Sequence, residues 1–172
     1  MAGSPAVWRR FGQEANSLDK TCDVIVVGAS VIGSACAYYL ASAGLKVTLL
    51  ERETIASGSS THATGLLLYT DFKDEARFRF SLESYRFTRD LVAELVELTG
   101  MDVLYQRRPL LRIVIVDDEE ELIWSALRWQ KELVAAHWVN GDEVRRIEPR
   151  LSSAIRGAAY FEESAQLDST RV

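Results

Sequence analysis

Residues 23–66, DVIVVGASVIGSACAYYLASAGLKVTLLERETIASGSSTHATGL, decide how the rest of the chain is read. Val24–Val27 is a continuous apolar run, the pattern of a parallel strand buried on both faces. Gly28 ends it. Residues 31–43 are mostly small or apolar, with Ile32, Ala35, Leu40 and Ala43 at helical spacing, and Gly44 stands where a helix C-terminus favours glycine. Val47–Leu50 predicts a second strand, finishing at Glu51. Residues 52–64 are rich in Ser, Thr, Gly and Ala, too polar for a core strand and without helical periodicity. Their order must come from a ligand or from neighbouring backbone. Strand, tight turn, helix, strand and terminal acid form the sequence of a nucleotide-binding unit.

In a G-x-G-x-x-G turn the glycines permit the sharp exit from the strand, bring backbone N–H groups close to a pyrophosphate, and let helix pack on sheet. Here the string is GASVIG. Gly28 and Gly33 fill the first and third places, and Ser30 stands where the middle glycine belongs. Its side chain either crowds the pyrophosphate or donates a hydrogen bond to it. Glu51, at the end of the second strand, is placed to accept both ribose hydroxyls of an adenosine, and would repel a 2′-phosphate. The turn alone does not separate NAD from FAD.

Working outward, 172 residues with 48% hydrophobic content suffice for one ordinary core. A formal charge of −5, with no basic run to follow a phosphate backbone, argues against a nucleic-acid partner. Cys22 and Cys36 are the only cysteines and form neither a disulfide framework nor a zinc pattern. Residues 1–20 lack the apolar run of a signal peptide and read as a loose extension, and no segment is apolar enough to span a bilayer.

Downstream, Phe78, Leu82, Tyr85, Val92 and Leu95 recur at helical intervals across residues 74–98, predicting a long amphipathic helix ended by Gly100. The RRP at 107–109 reads as a turn before a strand, LLRIVIV. Residues 117–136 then suit a second amphipathic helix, whose acidic start complements the helix dipole. Residues 143–151 look briefly helical before Pro149, and residues from 157 onward read as a strand and turn. His137 falls at the expected helix end and is given no role. Trp124, Trp129 and Trp138 read as packing residues, and Arg107, Arg108 and Arg112 as exposed positions beside a strand.

Taken together, GASVIG, ERETIASGSSTHATGLL, LVAELVELTGMDVLY, RRIEPRL and LDSTRV resemble the flavoprotein family of D-amino-acid oxidase, and within it the glycine oxidase and sarcosine oxidase or dehydrogenase types. The resemblance implies an α/β fold: a Rossmann-like FAD-binding βαβ unit followed by the start of an α+β substrate domain, incomplete relative to the family. Residues 1–21 would be an N-terminal extension, 22–72 the first part of the FAD-binding domain, 73–100 a connecting long helix, and 101–172 a truncated substrate domain.

The same resemblance implies that Gly28, Ser30, Val31, Ile32 and Gly33 meet the FAD pyrophosphate and that Glu51 holds the adenosine ribose with Arg52 beside it. Ser59, Ser60, Thr64, Gly65 and Leu66 would wrap the diphosphate and approach the flavin, while Ser57 reads as solvated loop. His62 stands where sarcosine and dimethylglycine dehydrogenases carry a histidine bonded to the flavin 8α carbon, so covalent attachment there is one reading and a histidine lining the loop the other. The implied chemistry is oxidation of a C–N bond in an amino acid or N-methyl amino acid by hydride transfer to flavin. No catalytic residue and no metal site is identified. A non-catalytic or complemented subunit and an NAD-linked dehydrogenase stay open as alternatives, as does a homo-oligomer. The expected location is cytoplasmic, or the mitochondrial matrix in a eukaryote, and the 172 residues alone are expected to be inactive.

Overall fold

The computed structural model describes residues 21–70 and 74–172. It divides into two compact units, Met1–Ala63 and Thr64–Val172. The extension expected over residues 1–21 lies, apart from its last residue, outside the described residues, as does the expected boundary between 72 and 73.

The first unit is a βαβ element. Strand β1 (Val24–Val27) leads through the glycine turn into helix α1 (Val31–Ser42), and strand β2 (Val47–Leu50) returns parallel to β1, in register from Val24↔Val47 to Val27↔Leu50. A parallel pair needs such a crossover because both strands run the same way. Gly44 takes a left-handed φ of 88° and donates its N–H to Ala41 O at 2.9 Å, ending α1 where the sequence placed the stop.

One expectation fails here. β1 is not buried on both faces: Ile25 is 57% and Val27 82% exposed. Side chains alternate along a strand, so Val24 and Val26 turn to the side where α1 packs and are half-buried, while no described element of this unit covers Ile25 and Val27.

The second unit is built on one long strand. In chain order it contains β3 (Leu66–Leu67), α2 (Glu75–Thr99), β4 (Gln106–Val114), α3 (Asp117–Gln130), β5 (Ala136–Asn140), α4 (Gly141–Ile147) and β6 (Gly157–Gln166). Strands β3, β4 and β5 all pair antiparallel with β6. The expected long helix is present as α2, capped by the Asp74 side chain, which accepts from Arg77 N at 2.9 Å. Phe78, Leu82 and Tyr85 carry its apolar stripe into a core with Tyr69, Val114, Ile123, Leu127 and Phe161. The Tyr69 hydroxyl donates to the Glu163 carbonyl, and burial pushes its phenol up to about 12. No helix among the described residues is long and apolar enough to cross a membrane.

Two further boundaries differ from expectation. Residues 107–109 are not a turn but part of β4, and the register shifts between Arg108 and Leu110. Pro109 has no N–H to give the ladder, and an irregularity in a strand with a single partner accommodates it. The helix expected over 117–136 stops at Gln130, and residues 136–140 form β5. His137 is therefore a strand residue, its ring 5.2 Å from that of Tyr160. Across-strand pairing with β6 overrides the helical spacing that continues into Leu133.

Candidate cofactor site

In the first unit, the strand ends and the glycine turn surround an open cleft of about 450 Å³ lined by Val27, Gly28, Leu50, Glu51 and Arg52. Gly28 has φ 100°, a conformation that side chains rarely adopt, and nothing lies within 4 Å of the position its Cβ would take. The close approach is at Gly33. A Cβ there would lie 1.8 Å from Gly28 O, so the first turn of α1 sits against the strand end only because residue 33 is glycine.

Glu51 closes the turn. One carboxylate oxygen accepts the Ala29 N–H at 2.8 Å and the other the Glu53 N–H at 3.0 Å. These backbone donors, Ala29 foremost, hold its carboxyl below the usual carboxylate range. Each oxygen keeps a further lone pair, so the group can also accept from ribose hydroxyls. Arg52 extends into solvent and pairs with Glu53 at 3.2 Å.

The first turn of α1 contains no acidic residue, and its N-terminal N–H groups have no intrahelical partner. An anion is favoured there by both the free donors and the helix dipole. Ser30, at the N-cap, has extended backbone and makes no side-chain capping bond. The cap comes instead from the serine loop, where Ser60 Oγ accepts the Val31 N–H at 3.2 Å. Ile32 is 73% exposed. The residues present thus suit a dinucleotide: open space at Gly28, helix-end donors without an intrahelical partner, and a carboxylate at the second strand's end.

Gly28, Ser30, Val31, Ile32, Gly33, Glu51, Arg52 and Ser60 are gathered in this unit, around one turn. Ser59 is exposed on the same loop, its carbonyl accepting the His62 N–H at 3.2 Å. The His62 ring folds back on that loop, with Nδ1 2.9 Å from Gly58 O and 3.2 Å from Thr61 Oγ1. A carbonyl only accepts, so Nδ1 is the nitrogen that donates there and Nε2 faces away from this bond.

Thr64, Gly65 and Leu66 belong to the second unit. Gly65 O accepts the Leu167 N–H at 2.9 Å, and Leu66 pairs with Gln166 in the sheet.

Sequence reasoning missed Ala29. It is 1% exposed, gives its N–H to Glu51 and accepts the Ala56 N–H at 2.9 Å, so it joins turn, strand end and loop. Only backbone atoms are used, and no side-chain signal could have revealed them. Ala56 itself has a positive φ of 59°, unusual for a residue with a Cβ.

Residues 23–172 match the family model described as "DAO: FAD dependent oxidoreductase". The glycine oxidase of Bacillus subtilis (strain 168) is 28% identical over 148 residues, covering 85% of this chain and 39% of that protein. The crystal structure of glycine oxidase from Bacillus cereus ATCC 14579 superposes with a TM-score of 0.75 at 35% identity, covering 88% of this chain and 41% of that one. Glycerol-3-phosphate dehydrogenase of Mycobacterium leprae (strain TN) is 30% identical over 168 residues, 91% of this chain and 27% of that protein. The chain therefore spans about two fifths of the length of the glycine oxidases it matches.

Proposed function

The chain belongs to the FAD dependent oxidoreductase family, DAO, and on that premise we propose that it is the FAD-binding N-terminal part of an enzyme oxidising a C–N bond in an amino acid or secondary amine. Family membership replaces the NAD reading that the glycine turn had left open. Bound FAD would supply the hydride acceptor for the oxidation. The chain's own residues bind and orient. The α1 N-terminus and Ser59 and Ser60 take the diphosphate, Gly28 and Gly33 shape the turn that receives it, and Glu51 with Arg52 beside it takes the adenosine ribose. The roles of Thr64, Gly65 and Leu66 rest on the resemblance alone.

The observation that carries this reading is the Glu51 carboxylate held 2.8 Å from the Ala29 N–H, because it fixes the acid beside the glycine turn. The amine substrate is supported by the glycine oxidases among the relatives, while the mycobacterial glycerol-3-phosphate dehydrogenase favours an alcohol as the competing substrate. An assay of the longest natural form with glycine, sarcosine and glycerol 3-phosphate separates the two. Turnover of glycerol 3-phosphate alone would overturn the amine assignment.

Two finer points belong to the same proposal. Nε2 of His62, the ring nitrogen not engaged by Gly58 O, is the one suited to bond the flavin 8α carbon. Acid precipitation of the FAD-loaded protein should then keep the yellow colour in the pellet, and colour released to the supernatant would exclude the bond. The exposed Ile25 and Val27 favour completion of the fold by further polypeptide, in the same chain or another subunit. The 172 residues supplemented with FAD should accordingly show no turnover, and measurable oxidation by them would remove that requirement.

A further inference from the structure

Val31 is the first residue of α1, a helix of 12 residues, so its N–H is one of the donors that the helix itself cannot satisfy. Ser30, the N-cap residue, makes no side-chain capping bond, and an N-cap side chain would in any case reach the second or third N–H of the helix rather than that of Val31. A serine 29 positions away caps Val31 instead, Ser60 Oγ accepting at 3.2 Å. Ser60 is also singled out by burial: it is 9% exposed, whereas Gly58 and Ser59 beside it lie on the surface. The loop therefore turns this one hydroxyl inward onto the helix end.

A phosphate oxygen at the same helix end would need the same N–H, and one N–H makes one good hydrogen bond. The two acceptors are alternatives. A hydroxyl, however, can change roles, since it both accepts and donates, while a phosphate oxygen only accepts. We propose that Ser60 is a hand-over residue: without FAD it caps Val31 as an acceptor, and when FAD binds it yields that N–H to the diphosphate and donates its own O–H to a phosphate oxygen. The Val31 N–H has an acceptor in either arrangement. The proposal rests on the FAD reading above and adds to it a link between cofactor arrival and the position of the serine loop. A carboxylate at position 60 could cap the helix but could not change roles, and its charge would oppose the diphosphate.

The test is amide exchange and chemical shift at Val31, followed by NMR in the 172-residue chain, with flavin fluorescence titrations alongside. Without FAD, Ser60→Ala should exchange Val31 about fivefold faster than wild type, the effect of losing one modest hydrogen bond, and Ser60→Thr should restore protection. Well-dispersed β1 and β2 amides in each variant establish that the first unit is intact, and Ser60→Val against Ser60→Thr, which differ in the hydroxyl and not in shape, serves if the alanine variant does not fold. On FAD binding the wild-type Val31 amide should shift as its partner changes, and Ser60→Asp should bind FAD at least roughly tenfold more weakly. Equal exchange in wild type and Ser60→Ala would overturn the cap. An unmoved Val31 resonance on FAD binding, or undiminished affinity in Ser60→Asp, would overturn the hand-over. If wild type binds no FAD, the cofactor reading falls and the hand-over with it, while the exchange comparison still decides the cap.

Discussion

The two units of this chain hold themselves together by different means. In the second, aromatic and aliphatic side chains from α2, α3, β4 and β6 are packed until Phe78, Val114 and Phe161 have no exposed surface. In the first, the buried apolar residues among those described are only Ala29 and Ala37, and large apolar side chains such as Val27 and Ile32 face outward. Its turn is fixed instead by polar contacts, Glu51 to Ala29 N–H and Ser60 to Val31 N–H. A packed core resists any change of volume. A turn held by hydrogen bonds around open space is built to receive something.

That contrast can be broken most severely in the second unit. Phe161→Ala should cost about 3–5 kcal/mol in a denaturant titration, because it leaves a cavity where nothing can collapse. A loss under about 1 kcal/mol would mean that the sheet is not packed as described.

Next in size is Gly33→Ala. The new Cβ would meet the Gly28 carbonyl at 1.8 Å, so helix and strand end must separate, at about 1–3 kcal/mol for overpacking. FAD affinity should fall with it. Retained affinity in a variant that folds would show that the close approach is not needed for the cofactor.

The pH dependence is a smaller effect and its sign is fixed. The folded-state pKa of Glu51 is depressed, so its contribution is present above the ordinary glutamate value of 4.5 and is lost as pH falls below that value through the folded pKa. FAD retention in the wild type should weaken across that acid window. Glu51→Gln, measured in parallel, should lack this component, and identical pH profiles would remove Glu51 from the account.

Smallest of all should be Val27→Thr. At 82% exposure the side chain contributes little packing, and stability should change by no more than about 0.5 kcal/mol. A larger loss would mean that Val27 is covered in solution, as a completed sheet or a second subunit would cover it.

How far these differences were legible in the sequence follows from what each signal consists of. The βαβ unit showed itself because Val24–Val27 and Val47–Leu50 are short apolar runs punctuated by Gly28 and Gly44, and α2 because Phe78, Leu82, Tyr85 and Val92 recur at helical intervals before Gly100. Glu51 was found from its position at a strand end. The end of α3 was not, since Leu133 continues its spacing and no glycine or proline interrupts residues 130–136; only pairing with β6 makes Ala136–Asn140 a strand. The apolar run of β1 foretold burial on both faces, but a run states only what a strand could bury, and α1 covers one side. Of the site, side chains were legible and backbone was not, so Ala29 and the inward turn of Ser60 emerged from geometry alone.

The central claim is that the glycine turn and Glu51 of the first unit bind FAD. An equilibrium titration of the 172-residue chain with FAD, read by quenching of flavin fluorescence and repeated on Glu51→Ala, tests it most directly. The account predicts saturable binding by the wild type and affinity weaker by on the order of tenfold in the variant, whose ribose acceptor and turn clasp are both gone. Equal affinity in the two proteins, or no binding by a folded wild type, would contradict it.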